Sequence, residues 1–245
     1  MADLLPTPRA AFDGSLARSG FVFVKGDDMR AMLEAAGSLD DLDALAASWG
    51  DLDMDTYMAD GGRYRRRRHA VFRVERNGAA TRQANQPHYQ TTSFNPLNGG
   101  IERWFSPVRD DIAEGRALQT ILSFCGRLFS PLSPTVASWK TEIHQFRIEA
   151  GPDIAGKPTP EGMHRDGVDW VLVLLLKRHN IRSGETTIAD LDKRSLGSFT
   201  LTDPLDAAFV DDARVYHGVT PIEPIDPAQP AYRDVLVVTF RDAAR

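Results

Sequence analysis

The 245-residue chain contains one cysteine, Cys125. A single thiol excludes an internal disulfide and suits a reducing compartment, so a cytoplasmic setting is expected. Cys125 lies in an apolar helical stretch and reads as buried filler, not as a reactive group. Long hydrophobic runs are missing too. The longest, Trp170 to Leu176, is much too short to span a bilayer. Met1-Ala2-Asp3-Leu4-Leu5-Pro6 has no basic start and no long apolar core, so no signal peptide is expected. Basic charge is not in excess: 29 Lys and Arg stand against 34 Asp and Glu, a net charge of −5. A general nucleic-acid binder needs a net basic surface, and this balance argues against one. Neither a nucleic acid nor a membrane is therefore an expected partner. No internal repeat and no low-complexity linker divides the chain, which fits one domain over residues 1–245.

The pattern changes along that domain. Residues 1–135 mix helices with strands. Phe21 to Val24 is a short strand, and Asp27-Asp28 can cap a helix from Met29 to about Ala36. A second helix is predicted from Ser38, with Leu39, Leu42, Leu45 and Ala46 inward, ending near Trp49-Gly50. Ala70 to Glu75 alternates like a strand. A long helix follows Pro107, its apolar positions running from Ile112 to Phe129 at helical spacing. Pro131 and Pro134 stop it. Residues 136–245 read mostly as strands: Thr141 to Ile148, Val171 to Leu176, Glu185 to Ile188, Val210 to Tyr216 and Val235 to Phe240. The expected class is mainly β with flanking helices (α+β), a double-stranded β-helix (jelly roll, cupin-like) with helices packed on one sheet.

Three residues carry the chemistry. His164 and Asp166 sit in Met163-His164-Arg165-Asp166-Gly167, just ahead of an apolar strand. His217, fifty-one positions after Asp166, sits in Tyr216-His217-Gly218-Val219-Thr220-Pro221. In an extended segment, residues i and i+2 point to one side, so His164 and Asp166 can reach one ion together. A histidine from a neighbouring strand would complete two imidazoles and a carboxylate on one face of an octahedral metal, the set used by non-haem Fe(II) oxygenases. His-x-Asp alone is a weak signal, and the bland alternative is a turn capped by His164 and Asp166 with a satisfied surface His217. Arg63 and Arg65 to Arg68 form the densest charge cluster. The plain reading is a solvated strand edge. An anion site is the sharper one, with Glu185 and Asp190 as acids that can pair with it. His69, His88 and His179 read as ordinary surface or hydrogen-bonding histidines, and Trp170 as a core aromatic.

The chain resembles a known family at these and other segments: His144-Gln145-Phe146-Arg147-Ile148, Met163 to Trp170, Tyr216 to Ile222, Arg233-Asp234-Val235-Leu236-Val237 and, more loosely, Arg63-Tyr64-Arg65-Arg66, Gln90 and Gly99-Gly100…Arg103. The resemblance is to the bacterial Fe(II)/2-oxoglutarate-dependent dioxygenases that include the L-isoleucine hydroxylases and the biofilm-stress-motility A-like proteins. It runs from about residue 20 to the end. One departure is Ser183 before Gly184, where the family tends to have paired glycines.

The resemblance implies Fe(II), 2-oxoglutarate and O2, with His164, Asp166 and His217 as the iron ligands. It implies Arg233 as the group that holds the distal carboxylate of 2-oxoglutarate, with Arg241, on the same strand parity, as the fallback. A guanidinium grips a carboxylate with two parallel hydrogen bonds, which a lysine cannot do. For substrate, strand alternation puts His144, Phe146 and Ile148 on one face and Gln145 and Arg147 on the other, and either set can line the cavity. Gln90, Arg103 and Trp104 are pocket or lid residues on family grounds only. The implied activity is hydroxylation of an L-amino acid with an aliphatic side chain, or of a close derivative. The alternative is a non-catalytic or regulatory small-molecule- or metal-binding protein on the same scaffold; under either reading a homodimer stays open. A metal-dependent hydrolase would need a glutamate base beside the metal, and none is obviously placed for that role.

Overall fold

Strand alternation separates two environments. On Ala231–Asp242, residues Leu236, Val238 and Phe240 are fully buried in the apolar core. The intervening Arg233, Val235, Val237, Thr239 and Arg241 line a cavity. Each apolar side chain removed from water contributes about 1.5–3 kcal/mol. One face of the strand therefore holds the fold together, which leaves the other free to carry polar groups.

The computed structural model describes residues 8–245. The segment Met1 to Pro6, read above for a leader, lies outside them. The elements run α1 (Pro8–Ser19), β1 (Phe21–Val24), α2 (Gly26–Glu34), α3 (Leu42–Ala47), β2 (Asp53–Met54), β3 (Arg65–Glu75) and β4 (Ala80–Arg82). Then come α4 (Asp110–Ala113), α5 (Arg116–Leu132), β5 (Ser138–Ala150), β6 (Trp170–His179), β7 (Ile181–Ser183) and β8 (Thr186–Ala189). The chain ends with β9 (Ser195–Phe199), β10 (Ala207–Asp211), β11 (Tyr216–Val219), β12 (Ile222–Pro224) and β13 (Ala231–Asp242).

The large sheet has the order β1-β10-β6-β13-β5-β3-β2, with β4 added on β3, and every pairing is antiparallel. A three-stranded sheet, β11-β8-β9, and a two-stranded one, β12-β7, form the opposing layer. This is the mainly β jelly roll expected, with the helices on the outer face of the large sheet. Leu118, Ile121, Leu122, Cys125 and Phe129 of α5 share one core with Phe72, Trp139, Ile143, Leu172, Leu174 and Phe209. Burial pushes the Cys125 thiol up and keeps it neutral. Trp170 stacks on Phe129 with ring centroids 5.0 Å apart, as a core aromatic should. The large sheet takes β1 to β4 from the first half of the chain and its remaining strands from the second. Among the described residues no helix is long and apolar enough to cross a membrane.

Several boundaries differ from the expected ones: the first predicted helix starts at Gly26, so Asp27 and Asp28 lie in its first turn instead of capping it, and the second starts at Leu42. The helix after Pro107 is two helices, because the Asp41 carboxylate accepts the Arg116 and Ala117 amides at 2.7 Å and starts a fresh helix after Gly115. Pro131 sits inside the last turn of α5 instead of ending it. The run Val210 to Tyr216 is not one strand: the chain turns after Asp211 and crosses from β10 in the large sheet to β11 in the small one.

Candidate metal centre and its cavity

His164 and His217 are clamped by backbone. Each amide donates to the other's carbonyl, at 2.9 and 3.0 Å, in an isolated antiparallel bridge. The two rings lie side by side, centroids 4.5 Å apart. His164 Nδ1 donates to the Gly162 carbonyl at 3.0 Å, which turns Nε2 inward. That nitrogen lies 3.6 Å from Asp166 Oδ1, and His217 Nε2 lies 3.5 Å from Asp166 Oδ2. Both gaps are too long for good hydrogen bonds. They suit an ion shared by all three groups, whose ligand atoms lie within 4.8 Å of one another.

The His-x-Asp segment lies just ahead of β6, which begins at Trp170, and only His164 in it makes a β-bridge. Asp212 supplies the missing order. Its carboxylate accepts the amides of Asp166, Gly167 and Val168 at 2.8, 2.7 and 3.1 Å. Gly167 makes this cradle possible with φ +80, where an added Cβ would lie 2.6 Å from the Phe94 ring. No sequence signal marks Asp212 for this role.

Electrostatics differ across the trio. Burial works against a charge on His164, but the adjacent Asp166 carboxylate outweighs it and raises the imidazole to about 9. Burial and the neighbouring His164 lower His217 to about 4. Asp166 resists burial and stays well below the ordinary carboxylate range because two imidazoles face it. Burial and the charge of Asp166 push Asp212 up, against the pull of its amides.

The trio opens on a cavity of about 280 Å³, room for small molecules. Val168, Val171, Val173, Ile188 and Val237 give it apolar walls, and Gln90, Arg103, His144, Arg233 and Arg241 also line it. Gln90 Nε2 donates to Asp166 Oδ1 at 3.2 Å, while its Oε1 accepts from Arg103 Nη2 at 3.1 Å. Arg233 is 2% exposed, and its Nε and Nη2 have no hydrogen-bond partner. Arg241 lies eight residues farther along β13, at the other end of the cavity wall and partly exposed.

Alternation settles which face of β5 meets the cavity. Glu142, His144, Phe146 and Ile148 line it. Gln145 and Arg147 do not, so the expectation that they contact substrate is corrected. Gln145 Nε2 donates to Ser48 Oγ at 2.7 Å on the opposite face. Arg147 makes two parallel bonds of 2.7 Å to Asp234. Trp104, considered for a lid, is 53% exposed and stands outside the cavity.

The arginine run is not a solvated edge. Arg65 and Arg67 point inward and are buried, at 6% and 3% exposure. Their acid is Asp55, at 2.7 and 3.6 Å, and neither Glu185 nor Asp190 pairs with them. Arg66 and Arg68 point the other way, to Glu149 and to the carbonyls of Pro107 and Asp51. Of the two readings of His69 and His88, surface or hydrogen-bonding, the second holds. With His144 they surround Glu142 on the cavity wall, His88 Nδ1 donating to Oε2 at 2.5 Å and His69 Nε2 at 3.3 Å. This is a second group with metal-ligating atoms. Arg67 Nη2, 2.6 Å from His144 Nδ1, places a buried cation against it.

A family model described as 2OG-Fe dioxygenase matches residues 46–239. The chain belongs to that family. Among its dioxygenase relatives is 3(1)-hydroxy-L-isoleucine 4-dioxygenase of Pantoea ananatis, 29% identical over 92% of this chain and 93% of that protein. L-isoleucine-4-hydroxylase of Bacillus thuringiensis is 26% identical over 62% of this chain and 64% of its own length. A solved bsmA homologue from Methylobium petroleophilum PM1 is 36% identical, with a TM-score of 0.88 over 98% of this chain and 95% of that one. As a dioxygenase of this family the protein uses Fe(II), 2-oxoglutarate and O2. Its residues fit those groups. The trio offers two nitrogens and a carboxylate on one side of an open cavity, and Arg233 offers a buried guanidinium with two unpartnered nitrogens.

Proposed function

We propose that the protein hydroxylates an aliphatic L-amino acid or a close derivative. In this reading His164, Asp166 and His217 hold Fe(II), and Arg233 holds the distal carboxylate of 2-oxoglutarate. The observation that carries it is the convergence of the trio beside an unpaired, buried Arg233 in one cavity. The apolar walls and the amino-acid substrates in the relatives' names support the substrate class. The drawing of strands from both halves into one sheet supports a single catalytic domain over the whole chain.

When bound, iron and 2-oxoglutarate activate O2, so that one oxygen atom enters a substrate C–H bond as the cosubstrate becomes succinate and CO2. The protein's part is placement. The Gly162 carbonyl keeps the proton of His164 on Nδ1 and leaves Nε2 for the metal. Gln90 steadies Asp166. The valine walls keep water from the reacting carbon.

Incubation with each of the twenty amino acids, Fe(II) and 2-oxoglutarate should release succinate with aliphatic members. Asp166→Ala and His217→Ala should abolish turnover while circular dichroism stays unchanged, and retained turnover would refute the ligand assignment. Arg233→Ala should raise the KM for 2-oxoglutarate roughly 100-fold, the scale of a lost buried charge pair. An unchanged KM would transfer the role to Arg241.

A further inference from the structure

Buried charges need partners, and most of the buried charges around this cavity face one. Arg65 and Arg67 face Asp55. Glu142 faces three imidazoles and Lys140, 3.4 Å away. Arg233 answers the cosubstrate. Arg241, also on the wall, is partly exposed to water, and two buried charged groups are left.

The first is Arg103, 2% exposed. Among the described residues no carboxylate lies within 4.0 Å of it. Its side chain makes one hydrogen bond, to Gln90, and its Nε has no partner. Burial and the nearby Arg65 work against its charge, and Asp55, Glu161 and Glu142 support it only from beyond ion-pair distance. The second is Glu161, whose side chain is 8% exposed. Its Oε2 is buried without a partner, and its Oε1 lies 3.5 Å from His164 Nε2, the nitrogen turned toward the proposed metal. A metal on that nitrogen leaves it no proton to give, so both oxygens of Glu161 remain available to a cation. Glu161 stands outside the trio whose ligand atoms share one 4.8 Å neighbourhood.

Arg103 and Glu161 line the same cavity and both reach toward the trio, one through Gln90 and Asp166, the other beside His164. They are unlike charges that do not pair with each other. A free α-amino acid carries a carboxylate and an ammonium on a single carbon. We propose that Arg103 and Glu161 together bind the zwitterionic head of the substrate, Arg103 taking the α-carboxylate and Glu161 the α-ammonium. The aliphatic side chain then lies against Val168, Val171, Val173, Ile188 and Val237. This rests on the amino-acid reading above and deepens it: the substrate is a free amino acid, neither N-acylated nor part of a peptide.

The test uses the aliphatic amino acid giving most succinate, its N-acetyl derivative and its methyl ester. Binding of each to protein loaded with Co(II) and 2-oxoglutarate is measured by calorimetry, alongside turnover. The wild type should bind the free amino acid at least about 100-fold more tightly than either blocked form, since each loses one buried charge-assisted contact. Glu161→Gln should lose about 30-fold or more for the free amino acid and keep the N-acetyl form within about threefold, erasing the discrimination at the amine. Arg103→Met should do the same for the methyl ester. Affinity for Co(II) and the KM for 2-oxoglutarate should stay within about threefold in both variants. Unchanged discrimination in both variants would overturn the proposal. So would an equal loss of Co(II) affinity in Glu161→Gln, which would make Glu161 a support for His164. If the wild type neither binds nor turns over any free amino acid, the amino-acid reading itself falls, an outcome distinct from intact turnover with unaltered variants.

Discussion

At the scale of single residues the trio is a titratable device. At pH 7 the metal-free protein holds His164 as imidazolium, because its pKa is raised to about 9, while His217 at about 4 is neutral and Asp166 is ionised. The raised His164 stabilises the metal-free fold fully below the ordinary 6.5, and that contribution is lost as pH rises through about 9. A metal must displace that proton. Calorimetry of Co(II) binding at pH 7, in buffers of different ionisation enthalpy, should report about one proton released per metal. Affinity should fall about tenfold per pH unit from pH 8 to pH 7. Release of no proton would contradict the protonation pattern. The three residues themselves were legible from spacing and neighbouring apolar runs. Asp212, Glu161 and Asp55 were not, because a lone acid in a turn looks alike whether it faces water or three buried amides. Ser183 was legible in part. The family's paired glycines mark a turn, and Ser183 does adopt φ 65, a conformation that costs a non-glycine residue about 1–2 kcal/mol.

At the scale of elements, β5 and β13 run side by side for twelve residue pairs, from Ala231↔Ala150 to Asp242↔Trp139. Arg147 and Asp234 sit opposite each other and close that register on the face away from the cavity. Asp234 is buried, and burial alone would push its carboxyl up, with Arg147 opposing. Arg147→Ala should therefore destabilise the fold by about 3 kcal/mol in urea unfolding, as removal of one partner strands the other. The KM for 2-oxoglutarate should hardly move. A stable variant with impaired cosubstrate binding would instead restore Arg147 to the site. Period-2 alternation predicted that His144 and Arg147 part company, yet could not say which face looks inward, because both carry polar groups. The breaks at Gly115 and after Asp211 escaped notice for a different reason. Both depend on partners distant in sequence, Asp41 in one case and the second sheet in the other.

At the scale of the whole molecule, the sheet stacks helices on one face and opens the cavity on the other, and residues from both halves of the chain line that cavity. His69, His88, Glu142 and His144 form a rival group of metal-ligating atoms, and all but His69 line the same cavity. Arg67 decides between the two. Its guanidinium donates to His144 Nδ1, draws electron density from that ring and sets a fixed positive charge beside any incoming dication. Among the described residues no arginine or lysine bonds to the His164 group, which has a carboxylate between two imidazoles. The direct measurement is anomalous X-ray scattering from crystals grown anaerobically with Fe(II) and 2-oxoglutarate. One iron peak is expected, bonded to His164 Nε2, Asp166 and His217 Nε2. A peak among His69, His88, Glu142 and His144, with none at His164, would contradict it.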